Sequence, residues 1–226
     1  IIGLGARLQV FQNASICDIT AQDEFDLSRP GREKCAFFCI SSDQDSTFDF
    51  LSSLFFSFLF IKLVRYADAE GVDGKLPIGV NFVLDEFPNL GVINDFKKKI
   101  STVRSRNIGI SVIFQNIAQL KNRYPNDEYL EILGNCDTQI ALGCTDEVTA
   151  RFISNRTGEV TIDVNSQSKQ LYAMRMTDYT PEYRETNSVG RRKLMTADEV
   201  LRMPLDEALI ILRGQNVFKV KKFDYT

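Results

Sequence analysis

Apolar positions along this chain fall into short unbroken runs rather than alternating ones. KCAFFCI (34–40), the stretch leading into VNFVLDE (80–86), IGISVIF (108–114) and TQIALG (138–143) each read as a strand. Unbroken runs of this length predict strands buried on both faces. Between them, FLSSLFFSFLFI (50–61) predicts a buried helix reaching about residue 68, and SSDQDS (41–46) supplies the polar groups that open a helix. Further helices are expected around 94–103, 116–122, 127–134 and 146–156, the last ended by Gly158. Strand and helix alternate from residue 34 to 158. That pattern predicts an α/β fold, a mostly parallel sheet with helices on both of its faces.

The flanks follow other rules. RLQVF (7–11) reads equally as a short strand or a helix end, 18–31 is loop-like, and EGVDGKLP (70–77) is a linker. From 159 to 192 the chain turns polar, which suggests a hairpin with a mobile loop. TADE (196–199) is a capping box opening a short helix before Pro204. ALIILRG (208–214) and VFKVKKF (217–223) are expected to pair as a closing β-hairpin.

Composition narrows the chemistry. The 226 residues hold 27 Lys and Arg against 30 Asp and Glu, a net charge of -3, so any nucleic-acid contact has to be local. With no histidine, imidazole bases, His-containing triads and His-ligated zinc are excluded. The five cysteines are scattered without a C-x-x-C pair, which suits free, mostly buried thiols in a reducing compartment. The apolar run at 50–61 falls short of the roughly 20 residues a bilayer span needs, so a core helix is the expectation there.

The strongest chemical signal is Asp85-Glu86 at the end of an apolar strand. Ligands of open α/β sheets bind beyond the carboxyl ends of the strands. An Asp there suits Mg²⁺ held largely through water, and the neighbouring Glu suits orienting or deprotonating a water aimed at a γ-phosphate. This is a Walker B pattern with a catalytic Glu. A strand ending in a solvated acidic turn is the competing reading. Gln115 closes the next strand, where a polar side chain needs partners and could sense a nucleotide. Lys97, Lys98, Lys99, Arg104 and Arg106 lie between the two strands. By themselves the arginines read as a solvated helix end.

The longer strings carry a resemblance. LDEFPNLG, STVRSRNIGISVIFQNIAQL, Tyr124, ILGNCDTQIALGCTD, TARFISNRTG and the closing RKLMTADEVLRMP…ALIILRG, in that order, resemble the TraG/TraD class of type IV secretion coupling proteins. That class comprises hexameric, RecA-like, DNA-translocating P-loop ATPases of bacterial conjugation. The resemblance spans nearly the whole chain, most tightly from 80 to 160. It implies Asp85 as the Mg²⁺ carboxylate, Glu86 as general base, Gln115 as γ-phosphate sensor and Arg104 as an arginine finger serving a neighbouring subunit, with Arg106 the runner-up. It implies ATP and Mg²⁺ as cofactors. Single-stranded DNA, a relaxase or relaxosome accessory protein, the secretion channel and other copies of the chain are the implied partners. Lys97, Lys98 and Lys99 suit DNA phosphates, a neighbouring subunit or plain solvation.

The chain also departs from that class. No G-x-x-x-x-G-K-[ST] occurs; Gly71-Val72-Asp73-Gly74-Lys75-Leu76 lacks the first Gly and the Ser/Thr. The expectation is therefore the C-terminal part of a motor domain whose phosphate cradle and membrane anchor lie upstream, inactive and soluble on its own, from a parent at the cytoplasmic face of the bacterial plasma membrane. The expected organisation is a remnant over 1–34, a RecA-like core over 35–158, a polar excursion over 159–195 and a closing helix and hairpin over 196–226. Two other functions fit: a docking module that recognises relaxosome or secretion proteins without catalysis, and an FtsK/HerA-like duplex DNA pump.

Overall fold

The computed structural model describes residues 9–41, 49–170 and 182–224. These residues divide into two compact units, one ending at Asp137 and the other beginning at Thr138.

The first unit opens with a 3-10 turn (Gln9–Gln12) and helix α1 (Ala14–Thr20), whose Asn13 cap accepts from the Ser15 amide. Helix α2 (Asp49–Glu70) follows; the Ser/Asp start signal at 41–46 lies almost wholly outside the described residues. It is the only helix among the described residues that is long and apolar enough to cross a membrane. One face of it is packed: Phe56, Leu59, Phe60, Leu63 and Ala67 are buried, and Phe60 stacks on Phe82 with ring centroids 4.2 Å apart, while Phe58 and Ile61 stay exposed. Phe82 belongs to strand β1 (Val80–Leu84). The chain then passes through helix α3 (Phe96–Thr102) and a 3-10 turn (Val103–Arg106) into strand β2 (Ile108–Val112). β1 and β2 pair in parallel, Val80 opposite Ile108 and Leu84 opposite Val112. Short helices α4 (Ile117–Arg123) and α5 (Glu128–Gly134) complete the unit. No helix opens after Lys75, where the chain turns directly towards β1.

In the second unit strand β3 (Thr138–Ala141) leads to helix α6 (Glu147–Thr157), capped by Asp146 at 2.8 Å from the Thr149 amide. A ribbon of strands β4 (Glu159–Gln170) and β5 (Glu182–Lys193) covers most of the polar stretch; the expected mobile loop falls on 171–181, outside the described residues. Helix α7 (Ala197–Leu201) starts at the expected capping box, the Thr196 amide donating to Glu199 at 2.9 Å. Strands β6 (Glu207–Leu212) and β7 (Phe218–Lys221) form the expected closing hairpin. The core here is Ala150, Ile153, Val200 and Leu209.

Three sequence expectations are corrected. The thiols are not mostly buried: Cys17, Cys35 and Cys39 are exposed, and Cys136 and Cys144 are half-buried. KCAFFCI is not a buried strand: residues 35–41 have no regular structure, and Phe38 and Ile40 are 89% and 95% exposed. An apolar run becomes a strand only where a neighbour supplies the ladder hydrogen bonds, and no described strand pairs with this one. TQIALG does form a strand, but β3 pairs antiparallel with β6, and Ile140 and Leu142 stay exposed. A short apolar run specifies neither partner nor direction.

Candidate functional site

The two parallel strands deliver their C-terminal ends side by side. Beyond Val112, the Ile113 amide donates to the Leu84 carbonyl and the Phe87 amide donates to the Ile113 carbonyl, both at 2.9 Å. That ladder brings the segment after β2 against Asp85 and Glu86. Gln115 Nε2 lies 3.4 Å from Glu86 Oε1, and Gln119 Nε2 lies 3.4 Å from Gln115 Oε1. Asp85, Glu86 and Gln115, read separately from the sequence, therefore form one solvent-accessible cluster.

The loop that holds this cluster explains the string after the carboxylates. Glu86 sits in the left-handed region at φ 45°, ψ 43°, a conformation that costs a non-glycine residue about 1–2 kcal/mol. The surrounding packing enforces it. Phe87 is fully buried; its ring stacks on Tyr124 at 5.2 Å and lies 4.6 Å from Phe96. Pro88 is buried in the 3-10 turn that follows. Asn89 turns back, its Nδ2 donating to Glu86 Oε2 at 2.9 Å and its amide to the Glu86 carbonyl at 2.7 Å. Leu90 is buried. Gly91 has φ 79°, and a Cβ there would stand 2.7 Å from the Asp49 carbonyl oxygen, so only glycine fits. Burial of the Tyr124 hydroxyl pushes its pKa up to about 12, partly offset by the Ile93 amide that donates to it at 3.3 Å.

Asp85 Oδ1 accepts from the Glu86 amide at 3.0 Å. No group of three or more His, Cys, Asp or Glu side chains capable of caging a metal exists among the described residues. An exposed carboxylate such as Asp85 suits a hard cation that keeps its waters and takes further ligands from phosphate, as Mg²⁺ does.

The basic residues are placed elsewhere. Arg104 and Arg106 lie in the turn entering β2, at the opposite end of the strands from Asp85. At about 3.3 Å per residue, the full length of β2 separates them from the carboxylates. Arg104 pairs with Asp137 and remains 80% exposed; Arg106 makes a two-pronged pair with Asp68 on α2 at 3.0 and 3.3 Å. Lys97 bridges Glu128 and Glu131 on α5 at 3.3 and 3.2 Å, and those hydrogen bonds raise its pKa. Lys99 folds onto the Asn94 carbonyl, and burial lowers its pKa. Lys98 points outward beside Asp95. The three lysines thus do not form one basic face.

Sequence reasoning missed Asn89, Gln119 and Asn116, which caps α4 by accepting from the Gln119 amide at 2.8 Å. An Asn directly before an apolar helix start is a cap signal that could have located Asn116. Nothing in a lone Asn or Gln marks it as a carboxylate's partner.

The family profile described as "Type IV secretory system Conjugative DNA transfer" matches residues 1–225. The chain belongs to this family. It is 32% identical to the conjugal transfer protein TraG of Escherichia coli over 149 residues, covering 61% of this chain and 22% of TraG. It is 23% identical to the protein VirD4 of Rhizobium radiobacter over 226 residues, covering 100% of this chain and 31% of VirD4. The chain spans less than a third of the length of these relatives. Among solved structures it resembles the bacterial conjugative coupling protein TrwBdeltaN70, trigonal form in complex with sulphate, with a TM-score of 0.59 at 15% identity over 77% of this chain and 37% of that one. The plasmid coupling protein TrwB in complex with ADP and Mg²⁺ matches with a TM-score of 0.55 at 15% identity, covering 77% of this chain and 37% of that one. The family match and these likenesses agree on the fold: the chain is an α/β protein with a RecA-like architecture shared with TrwB.

Proposed function

We propose that this chain is the Walker B, sensor and finger part of a hexameric ATPase that moves single-stranded DNA, with its relaxase or relaxosome protein, into a type IV secretion channel. The observation that carries the proposal is the meeting of Asp85, Glu86 and Gln115 at the ends of two parallel strands. Asp85 would hold Mg²⁺ through water, the ion supplying charge stabilisation at the phosphates. Glu86 orients and deprotonates the attacking water, and Gln115 reads the γ-phosphate. The likeness to TrwB, a plasmid coupling protein solved with ADP and Mg²⁺, supports ATP and Mg²⁺ as the ligands of this site.

Arg104 is the finger in this reading. It lies far from its own chain's carboxylates and is exposed, as a group serving a neighbouring copy must be. Such a finger is worth roughly 10³–10⁵ in rate. Arg106 is the less suited of the two: its two-pronged pair with Asp68 leaves it far less exposed than Arg104. These 226 residues hold no phosphate-cradling glycine loop, so turnover belongs to a longer chain that carries one, working at the cytoplasmic face of the bacterial plasma membrane.

The test is ATP turnover, with and without single-stranded DNA, by a longer protein that includes upstream sequence. Glu86→Gln should abolish turnover while leaving nucleotide affinity unchanged. Unaltered turnover would overturn the catalytic reading and favour a docking module.

A further inference from the structure

Glu86 is held by side-chain amides on both of its oxygens. Asn89 Nδ2 reaches Oε2 at 2.9 Å and Gln115 Nε2 faces Oε1 at 3.4 Å. Gln115 is itself oriented. Its Oε1 faces Gln119 Nε2, so its amide nitrogen must face Glu86. Gln119 is in turn set by the first turn of α4, where its backbone amide is tied to Asn116. Asn89 is set by the 3-10 turn, anchored through buried Phe87, Pro88 and Leu90. Two separately anchored arms thus grip one carboxylate in a left-handed loop.

We propose that Asn89 is a positioning residue for the hydrolytic reaction, with Gln119 as the outer member of the second arm. Resting on the reading of Glu86 as the base, this assigns the carboxylate's orientation to Asn89. An Asp/Glu side chain ends in a broad torsional well, so an unrestrained carboxylate samples many directions. A base must lie within hydrogen-bond reach of the water it activates. The 2.9 Å bond from Asn89 narrows that choice, leaving the remaining lone pairs of Oε1 and Oε2 for water. Asn89 touches no nucleotide in this reading; its whole effect passes through Glu86. The Asn89 side chain is exposed, so its replacement leaves the core intact.

The test uses the longer ATPase. Asn89→Asp keeps the shape but replaces the donor by a like charge. It should lower kcat about tenfold or more, with the KM for ATP changed by less than about twofold, because a hydrogen bond to a charged group is worth about that factor. Asn89→Gln restores the amide and should recover most of the rate. Equal kcat for Asn89→Asp and the unaltered protein overturns the proposal. So does an equal loss in Asn89→Asp and Asn89→Gln, which marks a structural role. If Glu86→Gln itself leaves turnover unchanged, the catalytic reading falls instead, and that result is distinct from either.

Discussion

Phe87→Ala should be among the most destabilising single changes in the first unit, although it neighbours an exposed, charged loop. Phe87 has no solvent exposure; it stacks on Tyr124 at 5.2 Å and packs at 4.6 Å from Phe96. Truncating a fully buried Phe costs about 3–5 kcal/mol through lost transfer energy and the cavity left behind. The aromatic stacking lost adds about 0.5–1.5 kcal/mol to a pure area estimate. At roughly 3 °C per kcal/mol for a unit of this size, the midpoint should fall by on the order of 10 °C. The control lies on the other side of the carboxylates: Val83 is 68% exposed, and Val83→Ala should stay within about 0.5 kcal/mol. Thermal unfolding of the 226-residue protein followed by circular dichroism compares the two. A Phe87→Ala shift no larger than that of Val83→Ala would refute the claim that this ring anchors the loop. A large shift would explain why an aromatic directly follows the Asp-Glu pair: the left-handed Glu86 has to be held from the core side.

Two further outcomes follow from the geometry. Tyr124, with its pKa pushed up to about 12 by burial, keeps its proton in the folded protein after the unfolded chain has ionised near pH 10. The unfolded state then binds fewer protons, so stability falls as pH rises from about 10 to 12, by about 2–3 kcal/mol in all. Denaturant titrations across that window should show the slope, and Tyr124→Phe should abolish it while costing about 1–3 kcal/mol at neutral pH for the orphaned Ile93 amide. At the other end of the strands, Arg106→Ala should lose up to about 1 kcal/mol with its Asp68 pair, whereas exposed Arg104→Ala should lose almost none; urea unfolding checks both.

Legibility in this sequence tracks how local each determinant is. The Asp85-Glu86 pair and Gln115 were readable because both close apolar runs, and parallel neighbours bring such ends together without any further information. The capping box at Thr196 and the closing hairpin were readable for a simpler reason: their partners lie nearby in sequence. What failed was the pairing of strands with distant neighbours. KCAFFCI has the composition of a strand, yet strand formation depends on an edge to join, and its own residues say nothing about whether one is offered. β3 was readable as a strand but not as the antiparallel partner of β6, because a run of four residues carries no direction.

The arginines show the limit from the other side. Before any resemblance, Arg104 and Arg106 were two cations near a helix end, and only the family pattern lifted Arg104 out of that class. The fold adds a constraint that neither composition nor resemblance contains. Because β1 and β2 run parallel in register, the turn entering β2 and the loop leaving β1 are held at opposite ends of the same strands. A rigid pair of strands does not fold back on itself, so no local adjustment brings Arg104 to its own chain's Glu86. Its Asp137 partner is an exposed one, and an exposed pair costs little to break. Any nucleotide within reach of Arg104 is therefore one bound by another copy, and in the longer ATPase mixing Arg104→Ala with Glu86→Gln subunits should restore turnover that neither variant has alone.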